Sequence, residues 1–256
     1  MLVCYDPYVG TIGRFSRAEI VELVAQAGYE GINLPIREPF INGKDESQIE
    51  DTEKLLAKHR LVAPSVGFGN HIVTTPTMRK ETMEHFAIVL NIARRFKVEI
   101  IGIWPNMPQD ASVEAARETL AANLLEMLPQ TEEAGIVIAL EFEKGCPLDN
   151  YREGVEFINS TDTRLRLTCD TYHLFNDKAD PYQSVLAMGQ LLADVHISGS
   201  HRGEPGTDEF DFKVFMKGLR EINYNGPLTL QYHLKDVESM ARSCEFTKRL
   251  LCKSLN

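Results

Sequence analysis

Short apolar runs alternate with longer amphipathic ones along the chain, and the alternation repeats eight times. The short runs fall at residues 2–5, 31–34, 62–66, 100–104, 137–141, 165–170, 193–197 and 228–231. They are apolar along their length rather than at every second position, as expected of parallel strands buried on both faces. Between them lie stretches at 17–27, 45–59, 78–96, 112–134, 151–159, 181–191, 211–222 and 236–251 that read as helices. Ile20, Leu23 and Val24 keep the i, i+3, i+4 spacing of one helix face. Ser16 stands three residues ahead of Glu19 as a helix cap. Thr75-Pro76 and Asp180-Pro181 are good helix openings.

Eight strand–helix pairs predict a single domain, 1–256, of α/β class. A closed (β/α)8 TIM barrel, which takes about 250 residues, accounts for the repeats better than an open doubly wound sheet. No Gly-x-Gly-x-x-Gly follows the first strand. Val66-Gly67-Phe68-Gly69-Asn70-His71 lacks the third glycine, which argues against a dinucleotide site.

The net charge of -10 disfavours nucleic acid as a partner, because phosphate neutralisation calls for a basic surface. No apolar run nears the ~18 residues that cross a membrane. The start, Met-Leu-Val-Cys-Tyr-Asp, does not read as a signal peptide. Cys4, Cys146, Cys169, Cys244 and Cys252 are scattered and form no Cys-x-x-Cys, so free thiols in a cytoplasmic protein are expected, with Cys169 a small buried apolar residue.

A barrel carries its active site at the C-terminal ends of its strands. The fifth run closes on Glu141, the sixth on Asp170, the seventh on His196 and the eighth on Gln231. None would carry a metal site alone. Together they bring two carboxylates, an imidazole and a carboxamide oxygen to one rim, a set suited to one divalent ion: manganese first, with magnesium, cobalt or zinc as alternatives. Past His196 the chain reads Ser-Gly-Ser-His-Arg-Gly-Glu-Pro-Gly, and Arg202 can reach the same site from that loop.

These motifs resemble those of the xylose-isomerase-like barrel superfamily of sugar isomerases, keto-sugar epimerases and endonuclease IV. The nearest branch is the ketose 3-epimerases of the D-tagatose and D-psicose type. Ala-Leu-Glu (139–141), Cys-Asp-Thr-Tyr-His (169–173), His196 with Arg202-Gly203-Glu204-Pro205-Gly206-Thr207, and Asp211-Phe212 carry the resemblance. It implies that Glu141, Asp170 and His196 hold the metal, that His173 and Arg202 contact substrate hydroxyls, and that Trp104 forms an aromatic wall. His71 is expected to line the pocket. The resemblance also implies a homodimer or homotetramer.

It fails at two places. The branch has a second glutamate on strand eight, both ligand and acid/base, where this chain has Gln231. The branch's Glu-x-x-Asn is absent, since Phe142-Glu143-Lys144-Gly145 follows Glu141. Glutamine can offer an oxygen to a metal but exchanges no useful proton. Glu141 is therefore the expected base in proton transfer beside the carbonyl of a small sugar or hydroxy-ketone. The alternatives are a dehydratase of a polyol-derived ketone and a non-catalytic sugar-binding relative. A DNA-repair reading lacks the extra ligands after His196. A phosphosugar reading lacks a glycine-rich cradle, because Tyr232-His233-Leu234-Lys235 follows strand eight.

Overall fold

A computed structural model describes residues 1–252; the last four residues of the expected domain, 253–256, lie outside the described residues. Nine parallel strands form one sheet: β1 (Val3–Tyr5), β2 (Gly31–Ile32), β3 (Leu34–Pro35), β4 (Ser65–Gly67), β5 (Ile100–Ile103), β6 (Val137–Glu141), β7 (Arg166–Asp170), β8 (Leu192–Ile197) and β9 (Leu228–Leu230). Their order is β2-β1-β9-β8-β7-β6-β5-β4-β3. The two ends of that order, β2 and β3, flank the single residue Asn33. β2 pairs with β1 and β3 pairs with β4, so the two pieces are halves of one stave and the sheet closes on itself. The barrel thus has eight staves: β1, β2/β3, and β4 to β9 in turn.

The eight expected strands all appear, with ends shifted by at most three residues. Val62 only bridges Gly31 and stands apart from β4. A Cβ on Gly31 would sit 2.7 Å from the Val62 carbonyl and 2.9 Å from Cys4 Sγ, so only glycine lets these staves approach.

The helices are α1 (Pro7–Gly10), α2 (Arg17–Gln26), α3 (Glu46–His59), α4 (Arg79–Phe96), α5 (Val113–Glu133), α6 (Tyr151–Thr161), α7 (Thr171–Asn176), α8 (Pro181–Met188), α9 (Phe212–Glu221) and α10 (Glu238–Cys252). The short α1 and α7 interrupt loops that the sequence pattern left open. Ser16 and Glu19 make the full capping box at α2: Ser16 Oγ accepts from the Glu19 N–H and Glu19 Oε2 from the Ser16 N–H. Pro181 opens α8 with Asp180 as its cap. In α9, Phe212, Phe215, Met216 and Leu219 are buried at i, i+3, i+4 and i+7. Each such side chain stabilises the helix-on-barrel layer by about 1.5–3 kcal/mol. Cys169 is buried within the core as expected, and all five cysteines are free.

Candidate active site

The C-terminal ends of the staves open into a cavity of about 330 Å³. Glu141, His173, His196, Arg202, Gln231, Trp104 and His71 all line it. Asp170 lies just beneath, with 0 % exposure, covered by Arg202. The eight staves therefore bring the sequence-predicted residues to one rim.

Asp170 does two jobs because it closes β7 and opens α7. Its Oδ1 accepts from the Tyr172 N–H at 2.8 Å and from Ser198 Oγ at 3.2 Å. Its Oδ2 accepts from Arg202 Nη1 at 2.7 Å. The helix that starts there places His173, its third residue, over the end of β6, with Nε2 3.5 Å from Glu141 Oε1. Ligand atoms of Glu141, Asp170 and His173 lie within 4.8 Å of one another, close enough to share a cation.

His196 faces Glu141 from two staves away, its Nδ1 3.5 Å from Glu141 Oε1. On the other side of the ring, Nε2 is 3.6 Å from Asp194 Oδ2. Asp194 lies two residues earlier on β8 and so on the same face of the strand. A carboxylate facing Nε2–H fixes the ring and leaves the Nδ1 lone pair toward the cavity, the arrangement that orients metal-binding histidines. His196 Nδ1 is buried with no hydrogen-bond partner among the described residues. A buried imidazole nitrogen without a hydrogen-bond partner, 3.5 Å from the Glu141 carboxylate, fits a divalent cation.

The electrostatics agree with that geometry. Burial pushes the Glu141 carboxyl up, but His196 and His173 outweigh it and hold the group well below the usual carboxylate range. Burial draws His196 down, yet Glu141 and Asp194 lift it well above the usual histidine value. His173 behaves alike: burial lowers it, while Glu141 and Asp170 raise it further. Asp6, by contrast, is raised, because burial outweighs His196 and its other polar neighbours.

Arg202 comes from a tight turn. Its φ of 53° is in the left-handed region, which costs a non-glycine residue of order 1 kcal/mol. Two backbone bonds hold it there: its N–H donates to the Gly199 carbonyl at 2.9 Å, and its carbonyl accepts from the His233 N–H at 2.7 Å. The guanidinium stacks over Tyr172 at 4.4 Å. Nη1 donates to both Asp170 Oδ2 and Gln231 Oε1, each at 2.7 Å. Nη2 is 3.0 Å from His173 Nε2, so that nitrogen accepts from the guanidinium when the ring is neutral. The oxygen that made Gln231 a candidate ligand thus already has a strong donor.

Trp104 and His71 form the opposite wall, their rings edge to face at 4.9 Å. Arg37 Nη1 sits 3.5 Å from His71 Nε2, and burial together with this guanidinium holds the His71 pKa down. Glu143 lines the cavity from the loop after β6, its carboxylate 3.9 Å from His173 Nε2.

A profile of the xylose isomerase-like TIM barrel matches residues 21–250. The chain belongs to that family. L-ribulose 3-epimerase of Methylomonas sp. (strain DH-1) is 29% identical over 227 residues, covering 81% of this chain and 75% of that protein. Ketose 3-epimerase of Arthrobacter globiformis is 24% identical over 225 residues, covering 82% of this chain and 75% of that one. The crystal structure of a D-allulose 3-epimerase from Methylomonas sp. in complex with D-allulose shares the fold, with a TM-score of 0.82 at 23% identity and coverage of 97% and 96%.

Two carboxylates of this xylose isomerase-like barrel escape a reading confined to the ends of the last four strands. Asp6 closes the first apolar run, Leu2 to Tyr5, by the same logic that singles out Glu141. Asp194 is a charge inside an otherwise apolar run, two residues from His196. Both line the cavity. Among the described residues no helix is long and apolar enough to cross a membrane.

Proposed function

We propose that this chain is a divalent-metal-dependent enzyme that moves a proton beside the carbonyl of a small ketose, as a 3-epimerase or a related isomerase. The observation that carries it is the unpartnered His196 Nδ1, oriented by Asp194 and facing Glu141. The ketose 3-epimerase relatives supply the substrate class.

In this reading Glu141, Asp170 and His196 hold the metal, with manganese the first choice for a mixed O/N set. When bound, the ion polarises the substrate carbonyl and stabilises the negative charge of an enediolate. Glu141 is the base, kept ionised at neutral pH by its two histidine neighbours. His173 and Arg202 donate to substrate hydroxyls and fix the carbon to be deprotonated against Glu141. Arg202 holds Asp170 and Gln231 through Nη1, which leaves N–H groups on Nη2 and Nε for the substrate. Trp104 and His71 form the wall along the rest of the sugar. Gln231 is a link between Arg202 and the end of the first stave.

The test is direct. The purified protein is analysed for bound metal and then incubated with a panel of ketoses and aldoses in D₂O. Deuterium entering C3 identifies an epimerase, and deuterium entering C1 or C2 an isomerase. A metal-loaded protein that exchanges no carbon-bound hydrogen in any sugar sinks the catalytic reading in favour of a binding protein.

A further inference from the structure

Inverting a carbon next to a carbonyl takes two proton-transfer groups, one on each face. Glu141 serves one face. The other cannot be served by Gln231, whose amide carries no exchangeable acid. Three more carboxylates line the cavity: Glu143, Asp194 and Asp6. Glu143 follows Glu141 by two residues and stands on the same side. Asp194 accepts from the Val195 N–H at 2.9 Å and faces His196 Nε2, deeper in its stave. Asp6 differs from both in position. It follows β1, which lies four places from β6 in a ring of eight staves and so directly across the barrel from Glu141. On one side β1 pairs with β9, whose end carries Gln231. A carboxylate absent from one stave is present on the next.

We propose that Asp6 is the second catalytic residue, delivering the proton to the face of the sugar opposite Glu141. The proposal rests on the 3-epimerase reading above. Glu141 takes the proton from C3, and the C–H electron pair becomes the enediolate double bond while the carbonyl oxygen takes up the charge. Protonated Asp6 then donates to C3 from the other side. The enediolate pair forms the new C–H bond and the carbonyl returns. The enzyme is left with Glu141 protonated and Asp6 ionised, and exchange with water at the cavity mouth resets both.

The surroundings of Asp6 support this division of labour. Oδ1 accepts from the Tyr8 N–H at 2.8 Å and Oδ2 from Asn33 Nδ2 at 3.3 Å, which fixes the carboxyl at the rim. The side chain is 7% exposed and stands on the stave across the barrel from Glu141.

The experiment uses Asp6→Asn in the full chain, since asparagine caps α1 as well as aspartate does; Asp6→Ser, also a capping residue, replaces it if the fold or melting temperature is lost. With a ketose that the wild type epimerises in D₂O, Asp6→Asn is expected to slow inversion by about 10²-fold or more. Deuterium still enters C3 of the recovered starting sugar, because Glu141 removes and returns the proton on one face, and bound metal is unchanged. Asp6→Glu keeps part of the inversion, and Gln231→Glu added to Asp6→Asn restores part of it. Inversion within threefold of wild type in Asp6→Asn overturns the proposal, as does loss of exchange and inversion together. A wild type that labels only C1 or C2, or nothing, overturns the 3-epimerase reading and this proposal with it. A wild type that inverts C3 while Asp6→Asn does so equally well overturns Asp6 alone.

Discussion

Staves five to eight bring Glu141, Asp170, Asp194, His196 and Gln231 to the cavity and its floor, whereas staves two to four bring Asn33, Pro35, Ser65, Gly67 and Gly102. One half of the rim carries charges at its strand ends, whereas the strand ends of the other half are small or neutral, with Arg37, His71 and Trp104 standing in the segments that follow them. The charged half is a network in which each member needs the next: Asp194 holds His196, His196 and His173 hold Glu141 ionised, and Arg202 joins Asp170 to Gln231. The small half makes few such bonds and leaves space instead. A reacting carbon needs fixed charges, while the rest of a sugar needs volume, and the barrel separates the two by stave. Damage to the charged half should therefore spread through stability, metal and chemistry. Damage to the small half should stay confined to substrate fit.

The largest effect is expected at Asp170. Asp170→Asn leaves the Arg202 guanidinium, mostly buried, without its only carboxylate partner within 4.0 Å among the described residues. Removing one partner of a buried pair costs about 3 kcal/mol. Chemical denaturation should show that loss, and metal analysis a protein that no longer retains its ion. Wild-type stability together with full metal content would remove Asp170 from the site.

Asp194→Asn should act more narrowly. The asparagine keeps an oxygen for the Val195 N–H but loses the charge facing His196 Nε2. The expected result is a metal affinity lower by about 10–100-fold with little change in melting temperature. The His196 pKa, followed by NMR in the metal-free protein, should fall toward the ordinary histidine value, because Asp194 is one of the groups that lift it. An unchanged titration would mean that Asp194 only packs.

The charged half was far more legible in the sequence than the small one. A polar residue that closes an apolar run is conspicuous, and Glu141, Asp170 and His196 all do so. The staves themselves were legible because burial on both faces makes their runs apolar throughout. Asn33 was not, since one polar residue inside a run gives no sign that it divides a stave into β2 and β3. Nor was α7, whose cap is the last residue of β7 and so reads as strand. Arg202 could be placed near the site, but its bond to Gln231 depends on a left-handed turn that the local sequence leaves open. Asp6 had the same signal as Glu141 and stood at the far end of the chain from the motifs that drew notice.

Two glycines test the small half at its finest grain, and they should part company. Gly102 lines the cavity on β5, and a Cβ there would meet its nearest atom, the Val66 carbonyl oxygen, at 3.9 Å, an ordinary contact. Gly102→Ala therefore adds volume without strain. The loss of backbone freedom in the unfolded chain is expected to stabilise the protein by about 0.4–1 kcal/mol. The added methyl takes space at the cavity that Trp104 also lines, so KM for the ketose should rise a few-fold while kcat and metal content stay put. Gly31 shares the same half, yet its Cβ would lie 2.7 Å from the Val62 carbonyl, between staves rather than in the cavity. Gly31→Ala should cost on the order of 1–3 kcal/mol, as overpacking does, with KM unchanged in the molecules that remain folded. Opposite signs in stability and a KM effect in only one variant would show that the small residues of this half divide into those that join staves and those that make room. Equal destabilisation by both would mean that the open side of the cavity is as tightly built as the charged one.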